Sequence, residues 1–145
     1  MTITTQTPHR DPRSFVAPEV WEREVALLVR DLPYDKVMAD RVFGQAVAYL
    51  ITAMEKRGEG LGMGCGPLVD NGVHVFILDT RNYQEFCAKN LGEFLHHVPE
   101  VEFKVDGSVE RTAEIIAANG FEVDWALWEA DAAKCTPCRP GEDGH

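Results

Sequence analysis

No run of apolar residues in this chain approaches the length of a membrane span. The longest, residues 46–54 (AVAYLITAM), is interrupted by Thr52 and falls far short of the roughly 20 residues that cross a bilayer as a helix. Positive charge is scarce as well: Lys and Arg number 14 against 24 Asp and Glu, a formal net charge of −10. A surface of that sign is repelled by phosphate backbones and by anionic lipid, so neither nucleic acid nor a membrane is expected as a partner. The opening residues MTITTQTPHRDPRS lack the apolar segment of a secretory signal. Cytoplasmic residence is the expectation that follows. In that compartment cysteines serve as thiols or metal ligands more readily than as disulfides, and the chain has 4 of them. The familiar catalytic signatures G-x-S-x-G, H-E-x-x-H and the dinucleotide fingerprint are missing. No catalytic residue is assigned.

What is present suffices for one folded domain. At 145 residues and 45% hydrophobic content, the chain buries roughly two-thirds of its unfolded surface without crosslinks. The pattern is mainly α: a single helical domain of four to six helices, with room for one short strand pair. Residues 1–17 are polar and aperiodic and read as a disordered N-terminal arm, residues 18–133 as the helical domain, and residues 134–145 as a cysteine-containing tail. Pro18 suits a first helical turn, and Trp21, Val25 and Leu28 follow at helical spacing until Leu32-Pro33 breaks the chain. Asp35 is placed to cap the longest helix, residues 36–57, in which Met38, Val42, Ala46, Leu50 and Met54 recur every four residues. Residues 101–105 read as extended. Ser108 and Asn119-Gly120 bracket a further helix, and Asp124 opens a last one bearing Trp125 and Trp128 on one side. There is no repeat at solenoid periods.

The glycine-rich loop at residues 58–67 (GEGLGMGCGP) invites a phosphate-cradle reading. It follows a helix rather than a strand and lacks the Gly-Lys-Ser/Thr ending, so it reads as a flexible connector with Cys65 near the residues discussed next. Beyond it, residues 73–78 (VHVFIL) have the composition of a strand. Yet Val69, Val73, Ile77, Thr80, Tyr83 and Cys87 step by four and three, as a helix does, and the helical reading is preferred. Asp79 is placed to cap a second helix over residues 80–96, with Pro99 stopping it.

The same stretch gathers His74, Cys87, His96 and His97. Imidazole nitrogen and cysteine thiolate are the donors zinc prefers. His96 and His97 sit about 100° apart on a helix, so one faces inward and the other outward. Asp70, one helical turn before His74, is placed to orient its imidazole. In the tail, Cys135-x-x-Cys138 presents two sulfurs from one turn and would complete that site or form a second. A thioredoxin-like use of this pair needs a helix beneath it, and Arg139-Pro140-Gly141 follows instead. The bland alternative takes Cys87, Tyr83, Phe86, Trp125 and Trp128 as core and the histidines as hydrogen-bonded.

The run Asp70, His74, Leu78, Thr80, Tyr83, Phe86-Cys87 and His96-His97-Val98-Pro99 resembles the glycine-rich domain-containing-protein-like family of plants and bacteria. That pattern reads D-x-x-W-H, a leucine, T-x-x-Y-x-x-F-C, and a later histidine or histidine pair before proline. The resemblance covers residues 70–99, with a fainter likeness in the long helix. It implies that His74, Tyr83, Cys87 and the His96/His97 pair are the defining polar positions, with Tyr83 supporting the ligands, and it implies no reaction. Val73 stands where tryptophan is usual, which removes a packing anchor and leaves the potential ligands untouched.

The expectation is a small cytoplasmic metal-binding protein, with zinc as the ion and another protein as its partner. Its role would be structural or partner-recognising. Two readings stay open beside it: a metal-dependent enzyme with an open His/Cys site, and a metal-free helical interaction domain.

Overall fold

Pro18 opens the first helix, α1 (Pro18–Asp31), with Glu19 in its first turn, where a negative charge suits the helix dipole. The computed structural model to which this helix belongs describes residues 9–97 and 106–134. Trp21, Val25 and Leu28 form the buried stripe of α1, and Glu24 is buried among them. After Leu32 donates to the Leu28 carbonyl at 3.0 Å, Pro33 prevents continuation.

The centre of the molecule is α2 (Lys36–Glu55). The Asp35 carboxylate accepts from the Met38 amide at 2.8 Å and so caps the helix as the sequence predicts. Val42, Phe43, Ala46, Val47, Leu50 and Ile51 are all sealed from solvent, because α1, α3 (Pro67–Leu78), and α5 (Ser108–Ala118) pack around this helix. Each large apolar side chain so buried contributes about 1.5–3 kcal/mol. A file of rings joins the elements. Trp21 meets Phe43 edge-on at 4.8 Å, Phe43 meets Phe76 of α3 at 5.3 Å, and Phe76 meets Tyr83 of α4 (Thr80–Asn90) at 5.4 Å.

Among the described residues there are six α-helices and no strand, and the nearest thing to a sheet is an isolated parallel bridge between Arg10 and Phe121. The strand pair allowed for in the sequence therefore has no counterpart there. Residues 73–78 lie within α3, where Val69, Val73 and Phe76 bury a helical stripe against α2. That burial outweighs the local β preference of VHVFIL. The extended reading of residues 101–105 falls outside the described residues.

Three further expectations need correction. The helix expected over residues 80–96 ends at Asn90: Gly92 adopts φ 88°, and the amides of Leu91 and Gly92 both turn back to the Cys87 carbonyl, at 2.8 and 3.0 Å. A left-handed glycine closes a helix in this way at little steric cost, and it acts well before Pro99. Second, the arm expected to be disordered is in place from His9 onward. Arg10 holds both oxygens of Glu55 at 2.7 Å and lies over the Phe121 ring, residues Pro12–Phe15 form a 3-10 turn capped by Asp11, and Val16 is buried. Third, Ser108 is the first residue of α5 rather than its cap: Gly107 at φ 78° holds the cap position without a side-chain bond, and Asp106 before it accepts from the Ser108 amide at 3.0 Å.

The last helix, α6 (Trp125–Lys134), closes the fold. Trp128 is buried and donates to Gln45 of α2 at 2.8 Å, while Trp125 is exposed. From the same helix Asp131 reaches the start of α3, accepting from the Leu68 amide at 2.8 Å and the Val69 amide at 3.1 Å. It takes the place of a local cap, which Gly66 cannot provide. A Cβ at Gly66 would stand 2.5 Å from the Cβ of Asp131, so this approach requires glycine. No described helix is long and apolar enough to cross a membrane.

Candidate metal centre

Helix α3 presents Asp70 and His74 one turn apart, beside its buried stripe. Because α4 stops at Asn90, the chain after Gly92 runs back without regular structure and brings His97 to the same place. Tyr83 holds this return: its buried hydroxyl donates to the Leu95 carbonyl at 2.7 Å. Burial, and then the neighbouring Cys87, push the Tyr83 phenol far above its ordinary range, so it remains a donor.

Asp70 is the hub. Its Oδ1 lies 3.0 Å from Nε2 of His97 and its Oδ2 lies 3.2 Å from Nε2 of His74. The two imidazoles meet edge-on with centroids 5.0 Å apart. One donor atom from each of the three side chains lies within 4.8 Å of the others. The contact at His74 is out of line for a hydrogen bond: Nε2 is sealed from solvent and has no hydrogen-bond partner, although 39% of the side chain is exposed. Bonds of about 2.0–2.1 Å to a tetrahedral zinc put nitrogen and oxygen donors about 3.3 Å apart; each Asp70–His separation is close to that edge, but each is made by a different oxygen of the carboxylate. Chemically this is a two-histidine, one-carboxylate set, suited to zinc or to a transition metal of similar ligand preference.

The sequence-derived candidates fall into separate places. His74 and His97 come together with Asp70, which sits between the rings as a donor in its own right. His96 is exposed and packs its ring on Phe94 at 4.9 Å. Cys87 is fully buried in α4, and its sulfur accepts from the Leu95 amide at 3.5 Å. Neither belongs to the three-residue group. Cys135 and Cys138 lie outside the described residues. Cys65, in the glycine-rich loop, brings its Sγ to 3.8 Å from Oδ1 of Asp70 and also lies outside the three-residue group.

Sequence reasoning passed over a second polar cluster. Glu24 is completely buried, and neither carboxyl oxygen meets a conventional donor. Burial, and then a shared proton with Asp79, raise its pKa to about 9, while that same hydrogen bond is the first cause holding Asp79 at about 2. Arg23 and Asn82 complete the partners of Asp79, at 2.8 and 2.9 Å. The signal was available, since residues 21, 24, 25 and 28 share one helix face.

No curated protein and no solved structure matches the chain. A family model described as UCP032817-like matches residues 30–117. That finding overturns the resemblance to the glycine-rich domain-containing-protein-like family, which rested on spaced polar residues within 70–99 rather than on the body of the fold. The matched region runs from the end of α1 through α5, takes in all three residues of the group, and spans more than half of the chain: the protein belongs to the UCP032817-like family.

Proposed function

We propose that this protein binds a divalent transition metal, zinc by the character of its donors, through Asp70, His74 and His97. The observation that carries the reading is the convergence of these three donor atoms, together with the sealed, unbonded Nε2 of His74. Asp70 hydrogen-bonds the ring of His97, while the Nε2 of His74 beside it has no partner and is left for a cation. Two donors come from one turn of α3 and the third from the chain returning after α4. The ion would therefore fasten that return segment to the helix, which favours a role in stabilisation or in shaping a surface for a protein partner.

A second reading is a metal-dependent enzyme in which three protein donors leave a position for water. It is supported by the three-donor count and by the exposed outer side of the His74 ring.

Metal content tests the proposal. Untagged wild type and Cys87→Ala are expected to carry stoichiometric zinc, and Asp70→Asn and His97→Ala to lose it. Retention by those two variants, with loss confined to Cys135→Ser/Cys138→Ser, would place the ion in the tail. A wild type that takes up neither zinc nor iron would leave the helical interaction domain.

A further inference from the structure

We infer that Cys65 is the fourth ligand of this ion and that the centre is a closed Cys-Asp-His-His site. The inference rests on the metal reading above and deepens it, because it decides between a structural ion and one open to water.

The argument is geometric. The thiol of Cys65 is buried, with 8% of the residue exposed, and its sulfur lies 3.8 Å from Oδ1 of Asp70. Zinc–sulfur and zinc–oxygen bonds of about 2.3 and 2.0 Å set a tetrahedral sulfur–oxygen edge at about 3.5 Å, so the sulfur stands near that edge from Asp70, while it lies outside the 4.8 Å group and would have to swing toward the imidazoles to complete the site. Position along the chain is equally constrained. The amide of Gly64 donates to the buried hydroxyl of Thr112 at 2.9 Å, on one side of Cys65. On the other, Gly66 is pressed against Asp131 at the cap of α3. The backbone is thus anchored immediately before and after the cysteine, and the connector delivers one thiol to the hub of the donor group. The sealed Nε2 of His74, on which the metal reading itself rests, lies in the same cluster.

Metal entry would replace the S–H···Oδ1 contact by S–metal and O–metal bonds, and the thiol proton would leave to solvent. A thiolate in the set selects zinc over magnesium or calcium, which favour all-oxygen cages. With four protein donors there is no place for a reacting water, and the ion acts as a clasp among the glycine-rich connector, α3 and the segment bearing His97.

Cobalt(II) separates the outcomes, because thiolate ligation gives a near-ultraviolet charge-transfer band, while visible d–d bands report binding itself. The experiment uses the full chain with Cys135→Ser/Cys138→Ser, so that tail thiols do not contribute. We expect both sets of bands there. Adding Cys65→Ser should abolish the charge-transfer band and weaken zinc binding by more than the roughly 10–100-fold caused by losing an outer hydrogen-bond partner of a ligand. A Cys87→Ala/Cys135→Ser/Cys138→Ser variant, whose sole thiol is Cys65, should keep the band and guards against a misfolded serine variant. Visible bands without charge transfer would overturn the role of Cys65 and leave the three-residue site standing. A band that survives Cys65→Ser would assign the sulfur to Cys87 and equally overturn it. Absence of cobalt uptake would overturn both readings.

Discussion

A carboxyl group buried with no basic partner of its own makes stability depend on pH in an unusual direction. In the folded chain Glu24 keeps its proton up to about 9, whereas its ordinary value is 4.5. Between those limits the unfolded chain binds fewer protons than the folded one, so the contribution of Glu24 is complete below 4.5 and is lost as pH rises toward 9. Asp79 acts in the opposite sense: with its pKa lowered from 3.8 to about 2, its contribution is present above 3.8 and lost as pH falls through 2. Thermal unfolding of wild type is expected to drop by several degrees between pH 5 and pH 9. Glu24→Gln keeps the shape and the capacity to donate to Asp79, and should flatten that slope. An unchanged slope in the variant would assign the pH dependence to other groups. The position of Glu24 on the apolar face of α1 was legible in the sequence, as was the one-turn pairing of Asp70 with His74. What the acid would share its proton with was not legible, because Asp79 lies 55 residues away and becomes its neighbour only through tertiary packing.

At the scale of the element, the end of α4 determines whether the donor group exists. Had the helix continued through His96, residues 91–97 would rise along its axis instead of running back toward Asp70. Gly92 at φ 88° prevents this, and a Cβ there would touch nothing. Gly92→Ala is therefore expected to cost only about 1–2 kcal/mol of stability through left-handed strain. Zinc affinity should fall by a larger factor, since the alternative of a longer helix removes His97. Denaturant midpoints and zinc titration on the same variant measure the two separately, and equal losses in both would count against this division. Helices α1, α2 and α5 were readable from apolar spacing and from Pro18, Asp35 and Asn119-Gly120. The helical character of α3 was readable from Val69 and Val73 despite its strand-like composition, but its buried stripe continues through Phe76 rather than Ile77. The early stop of α4 was missed because Gly92 lies inside an otherwise helical stretch and Pro99 offers a more conspicuous terminator.

For the whole molecule, the donors join parts of the chain that no single helix holds together. An ion bound only by the folded form stabilises it by about 2.7 kcal/mol when free metal is at a hundred times its dissociation constant. Chelation should consequently lower the unfolding midpoint of wild type by several degrees and leave Asp70→Asn unmoved, as calorimetry with and without chelator would show. An equal response of the two proteins would mean that the chelator acts elsewhere. The strong acidity of the chain adds a background to this measurement: with a net charge of −10, moderate salt relieves self-repulsion in both proteins and must be held constant. The helical class, borne out by the six described helices, followed from apolar spacing and the residues that cap it. The ordering of residues 9–17 did not, because it depends on Arg10 finding Glu55 and Phe121, which the sequence places far away.

The reach of Asp131 across to the first amides of α3 has a bearing on biosynthesis. On the ribosome, the helix that carries Asp70 and His74 is made long before the residue that completes its amino-terminal end. A nascent chain halted short of Asp131 would hold all of the proposed donors yet lack the brace that sets their scaffold. The proposed centre is therefore expected to assemble late in synthesis, once the final helix has emerged.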